Sequence, residues 1–263
     1  MVGKPVVLHV PHSSLYIPDA DRARILLNDE ELREALFDMT DWFTDELFPV
    51  KKFDSVVSQV SRLIVDVERF RDDSLEPMAK KGQGAVYVAT GQGLVLRDHD
   101  EAYREQLLRT YYDTHHSAFN LAVARCLQSY ERCLIIDCHS YSAALVTDRP
   151  NEAKPEICIG ADALHTPEHL VRAAVDCIND SGFSVAVNTP FAGAIVPQQF
   201  HAKNSQVCSI MLEVERSLYM MQTHKSGEVA GVGSMCAKKS AFATVASFLE
   251  SLIDHIADVW KPV

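Results

Sequence analysis

The run Leu134-Ile135-Ile136 and the residues that follow it constrain the fold more than any other stretch. Consecutive apolar residues of this kind form a strand buried on both faces, the habit of parallel sheets with helices packed above and below. The run then turns polar, at Asp137, His139, Ser140 and Tyr141. In open α/β sheets ligands bind beyond the carboxyl ends of strands, so an imidazole delivered there is well placed for chemistry. Asp137 points to the same side of an extended chain as His139 and could orient its ring. The alternative is a histidine that is merely hydrogen-bonded at a strand end.

The same pattern recurs along the chain. Pro5–Val10 reads as a strand that breaks into Pro11-His12-Ser13-Ser14, and the buried strand 209–212 ends in Glu213-Val214-Glu215-Arg216. Residues 29–48 carry Leu32, Leu36, Met39, Phe43 and Leu47 near a helical period. Asp38, Asp41 and Asp45, three and four residues apart, then share one face of that helix. A solvated acidic stripe is the usual reading, but the mutual repulsion also invites a cation. Further strands are expected at 55–60, 63–65, 157–160 and 183–188, a small hairpin at 85–96, and a turn with a short strand at 191–196. Helices are expected at 101–130, 167–181 and 240–260. Of His115 and His116 in the first of these, at most one can point into a site. His165 and His169 have the spacing of helical metal ligands but lack a following glutamate, and read as structural. Gly82-Gln83-Gly84 opens no helix and is no dinucleotide fingerprint. Alternating strands and helices predict an α/β fold of three layers, a mostly parallel or mixed sheet with helices on both faces, in a single domain spanning 1–263.

Composition narrows the partners. A formal net charge of -11 argues against nucleic acid and anionic membrane surfaces, both of which need a basic face. No apolar run approaches the length of a membrane span, and the chain enters a strand without a charged-then-apolar leader. The seven cysteines are scattered, with no C-x-x-C pair, which fits core fillers in a reducing cytoplasm rather than a disulfide framework or thiolate zinc site. The expected localisation is cytoplasmic and the oligomeric state is open.

Three strand ends thus carry unusual polar groups, His12, His139 and Glu213, with an acidic helix after the first. Two histidines, one carboxylate and a position left for water make up a common catalytic zinc set. A separate carboxylate must then move the proton, and Glu213 at the end of a buried strand is suited to that task.

His-Val-Pro-His-Ser-Ser (9–14), Asp-Trp-Phe-Thr-Asp-Glu-Leu-Phe (41–48), Ser-Arg-Leu-Ile-Val-Asp-Val-Glu-Arg (61–69), Asp-Cys-His-Ser (137–140) and Leu-Glu-Val-Glu-Arg-Ser-Leu-Tyr-Met (212–220) together resemble the N-formylglutamate amidohydrolase family. That family is similar in fold to zinc-dependent exopeptidases (phosphorylase/hydrolase-like). The resemblance implies hydrolysis of the amide of an N-formyl or other N-acyl amino acid, a small acidic substrate, and with it a place in histidine degradation. It implies Zn2+ (or another divalent metal) held by His12, His139 and a carboxylate of the acidic helix, Asp41 before Asp45. It implies Glu213 as general base, and Arg62 and Arg69 as binders of a substrate carboxylate, where a planar bidentate donor is the natural choice. The competing reading of Arg62, Asp66 and Arg69 is a structural ion-pair cluster; Glu215 reads as a surface or salt-bridge residue. The chain departs from the family where members carry Phe-Lys-Gly-Gly and a nearby arginine: it has Phe191-Ala192-Gly193-Ala194, then Pro197-Gln198-Gln199. That change points toward another N-acyl amino acid. Two rivals remain: a serine or cysteine hydrolase, for which no G-x-S-x-G elbow exists, and a binding protein that keeps the fold without turnover.

Overall fold

The computed structural model describes residues 3–144, 146, 154–223 and 235–260. β1 (Val6–Val10) is followed by α1 (Asp19–Arg22), α2 (Asp29–Met39) and α3 (Thr44–Leu47), then β2 (Asp54–Val57). A long irregular segment leads to α4 (Glu101–Leu107), a single π-helical turn (Leu108–Tyr112) and α5 (Asp113–Tyr130). β3 (Cys133–Tyr141), β4 (Ile157–Gly160), α6 (Glu168–Asp180), β5 (Val185–Val187) and β6 (Val207–Glu215) complete the main sheet. A ribbon of β7 (Met220–Gln222) and β8 (Cys236–Lys238) precedes the last helix, α7 (Phe242–Val259).

The six strands lie in the order β2-β1-β3-β6-β4-β5. All neighbours run parallel except β4, which is antiparallel to β6. The sheet is therefore mixed, with helices on both faces, as the alternation of elements predicts. Successive side chains of a strand point to opposite faces. Leu8, Leu134, Ile136, Ile210 and Leu212 accordingly pack with α6 and α7. Val7, Ile135 and Val207 pack with Phe119, Ala122 and Val123 of α5. His9, Asp137, His139, Met211 and Glu213 continue the α5 side of the sheet toward its carboxyl edge. No described helix is long and apolar enough to cross a membrane.

The structure corrects several local expectations. The helix foreseen over 29–48 stops at Met39: Thr40 is extended, Phe43 is left-handed with φ 62°, and a new helix starts at Thr44. The break is held from outside the helix. The Asp41 N–H donates to the His12 carbonyl, and Thr44 Oγ1 donates to the Asp41 carbonyl. The indole of Trp42 and the guanidinium of Arg216 satisfy the carbonyl of Phe37, and Arg216 that of Asp38 as well. Asp38, Asp41 and Asp45 hence do not share one helical face. Leu63–Val65 is no strand; Ser61 accepts the N–H groups of Ile64 and Val65, and the segment is buried as turns. The hairpin at 85–96 reduces to one bridge, Ala89 to Val95, and 191–196 forms no strand.

Candidate active site

The site forms where β1, β3 and β6 end. Parallel pairing sets His139 beside Glu213 on the sheet, and the bend after β1 swings His12 toward them. Asp41 arrives from the break between α2 and α3. His139 Nδ1 stands 3.0 Å from Asp41 Oδ2, and His12 Nδ1 stands 3.6 Å from the same oxygen. The ligand atoms of these three buried residues lie within 4.8 Å of one another, close enough to hold one metal ion. Asp45, the second choice among the acids, is not in that group. Together with Glu213, Arg62 and Arg69, they line a cavity of about 550 Å³.

His12 is fixed from behind. His12 Nε2 meets Asp66 Oδ1 at 2.8 Å, which leaves Nδ1 toward Asp41 with no hydrogen-bond partner. Asp66 is wholly buried and also accepts from Arg62 Nη2, the Tyr87 hydroxyl and the Glu68 N–H. Burial opposes its charge, but Arg62, His12 and Arg69 hold the carboxyl well below its ordinary range. Burial likewise disfavours charge on the histidines. For His139, Glu68, Asp137 and Asp41 outweigh it; for His12, Asp66 and Asp41 outweigh both burial and Arg62, so both rings bind protons more tightly than usual. The field that favours positive charge here also favours a divalent cation, and the histidine–carboxylate donor set suits zinc. A metal ion therefore fits these residues.

Glu213 differs from the other acids. Its Oε2 is buried without a partner, and desolvation first, with Asp41 and Glu68 adding, pushes the carboxyl up to about 8 against the pull of His139 and Arg216. Arg62 and Arg69 line the cavity, yet both also lean on Asp66, at 2.7 and 3.5 Å. The ion-pair cluster is present, and its arginines still face the space a ligand would occupy.

Sequence reasoning missed four groups. Asp66 entered only as part of an ion-pair cluster; its position between two arginines was the signal. Glu68 lines the cavity and puts a carboxylate oxygen 3.2 Å from His139 Nε2. Arg216 reaches Asp41 Oδ1 at 3.5 Å, with Ser140 Oγ at 3.4 Å. His9, hidden inside an apolar strand, is bonded to Asp137. Asp137 does reach His139, at 3.2 Å, as expected from the strand alternation. His165 is structural as foreseen, bonded to the Val207 carbonyl and the Ala202 N–H. His115 and His116 both turn inward, to His9 and to the Val67 carbonyl, and neither lines the cavity. Glu215 braces the turn after β6 through the Ser217 and Ala143 N–H groups. Ser140 is held by Arg216 rather than activated by a histidine, and Cys138 is fully buried, so neither has the setting of a nucleophile.

The profile of the N-formylglutamate amidohydrolase family matches residues 4–220, a span that contains every residue of the site. The chain belongs to the N-formylglutamate amidohydrolase family. It is thus a hydrolase of amide bonds. It is 24% identical over 233 residues to an N-formylglutamate deformylase of Pseudomonas putida, covering 83% of each protein. In fold it is similar to the crystal structure of N-formylglutamate amidohydrolase from Ralstonia eutropha JMP134, with a TM-score of 0.79 and 20% identity over 97% of this chain and 94% of the other. A gene product of Agrobacterium tumefaciens is also similar, with a TM-score of 0.65 and 19% identity over 97% and 91% of the two chains.

Proposed function

We propose that this family member cleaves the amide of an N-formyl or other N-acyl amino acid, such as N-formyl-L-glutamate, with zinc held by His12, Asp41 and His139. The observation that carries this reading is one cavity lined by His12, Asp41, His139 and Glu213, in which His12 Nδ1, His139 Nε2 and Glu213 Oε2 are buried and unpartnered. Bound zinc would supply an acidified water and a positive charge for the amide oxygen. The chain's own residues do the rest. Glu213 takes the proton of the attacking water and returns it to the departing nitrogen; a carboxyl with raised proton affinity is suited to both steps. Asp66 keeps the His12 ring oriented, and Arg62 and Arg69, backed by Asp66, bind the substrate carboxylate.

A second reading of specificity rests on the apolar part of the cavity lining. Phe191 and Ala192 line the cavity with Tyr141 and Met211, where an apolar side chain finds better company than the carboxylate of glutamate. The test is zinc content together with hydrolysis of N-formyl and N-acetyl derivatives of glutamate, methionine and leucine, for wild type and Glu213→Gln. One zinc per chain, turnover lost on chelation, and a zinc-loaded Glu213→Gln protein without turnover are expected. No metal under any loading condition sinks the metal reading; ligand binding without turnover in the wild type would favour the non-catalytic one.

A further inference from the structure

His139 turns one ring nitrogen toward Asp41. The other, Nε2, lies 3.2 Å from Asp137 Oδ1 and 3.2 Å from Glu68 Oε2, within ion-pair reach of both carboxylates though aligned with neither for a hydrogen bond. Of the two carboxylates Asp137 is the better fixed. It is buried, its Oδ1 meets His9 Nδ1 at 2.8 Å, and its Oδ2 accepts the Ile195 N–H at 3.3 Å. Parallel pairing makes this contact unavoidable, because His9 of β1 sits directly beside Asp137 of β3.

His9 is wholly buried, an expensive place for an imidazole unless both nitrogens are bonded. Both are: Nε2 meets His115 Nε2 of α5 at 2.9 Å, and the ring stacks on Phe119 with centroids 4.5 Å apart. A line of side chains, His139–Asp137–His9–His115, therefore ties the strand-end histidine to the helix that covers the sheet. None of the last three has a part in the chemistry above.

We propose that His9 is a positioning residue for His139, acting through Asp137, with His115 as its far anchor. This role presupposes the zinc reading above. A metal-bound histidine is oriented by the acceptor of its other ring N–H, and an acceptor that is itself immobilised fixes which nitrogen faces the ion. His9 immobilises Asp137. His9, Glu68 and Asp137 also lie close enough to hold an ion of their own. Both His9 nitrogens are already engaged within the protein, which favours the anchoring role.

His9→Phe keeps a ring against Phe119 and removes both nitrogens; His9→Asn retains a donor near the place of Nδ1. Zinc stoichiometry, zinc affinity by chelator competition, and thermal unfolding are measured for both, for His115→Phe and for wild type. One zinc per wild-type chain is expected, with binding about 10–100-fold weaker in folded His9→Phe, partly restored in His9→Asn, and weakened less in His115→Phe. A merely structural residue would lower the melting temperature and leave the affinity of the folded protein unchanged. That result would overturn the proposal, as would a second wild-type zinc that His9→Phe removes, since His9 would then be a ligand. Should His9→Phe fail to fold, unchanged zinc affinity in folded Asp137→Ala, which removes the carboxylate through which His9 acts, refutes it equally. Absence of zinc from the wild type refutes the metal reading itself, and is distinguishable because it precedes any substitution.

Discussion

Removing the charge of Glu213 should change how the zinc-stripped protein responds to pH. The carboxyl is 8% exposed and its proton affinity is raised from the ordinary 4.5 to about 8, mainly by desolvation. Between these values the folded chain holds a proton that the unfolded chain has released. Stability must therefore fall as pH rises through that window and level off above it. Each pH unit is worth about 1.4 kcal/mol, so from about pH 5.5 to 8.5 the loss due to Glu213 is bounded at about 3 kcal/mol. Glu213→Gln cannot ionise. Its amide places a donor where an acceptor stood, an offset of about 1–3 kcal/mol that does not vary with pH. Urea unfolding with chelator at three pH values should thus show the variant gaining on wild type as pH rises, with the gain ending near pH 8. Parallel stability curves for the two proteins would refute the assignment of a raised carboxyl at this position.

Other substitutions test neighbouring contacts. Asp66→Asn removes the buried negative charge shared by His12, Arg62 and Tyr87, turns one accepting oxygen into a donor, and should cost about 3–5 kcal/mol in chemical denaturation. Arg216→Met leaves two α2 carbonyls and Asp41 without its guanidinium; a loss of about 2 kcal/mol and weaker zinc binding are expected, read by denaturation and chelator competition. Arg69→Lys keeps the charge but loses the planar fork. KM for an N-acyl amino acid should rise about tenfold with kcat little changed; an unchanged KM would leave Arg69 as scaffold for Asp66 only.

The strand ends were legible because a doubly buried strand has no reason to be polar, so His139 and Glu213 stand out after apolar runs. The break at Thr40–Phe43 was not, because Met39, Phe43 and Leu47 keep a helical period through it. What stops the helix comes from afar: the His12 carbonyl and Arg216, 175 residues beyond Asp41. Asp41 was read on a helical face, whereas it belongs to the gap between two helices. His9 was invisible for the opposite reason. Its position in β1 is a core position, and only the register of β1 against β3 shows that its neighbour is Asp137 rather than another aliphatic group. The apolar run 63–65 illustrates the limit of patterns: burial without a sheet partner looks the same in sequence as burial within one.

The π-helical turn at Leu108–Tyr112 has a consequence for tolerance to length change. Such a turn accommodates one residue more than the α-helix it interrupts while leaving both flanks facing as before. Deleting exposed Thr110 should let the turn close into regular α-helix, with His115 still against His9 and Phe119 still beneath the sheet. The same deletion made at Ser117 has no slack to absorb it. It would swing everything beyond by about 100°, carrying Phe119 and Val123 off the sheet; the chain can lose a residue at Thr110 and not farther along the helix at Ser117.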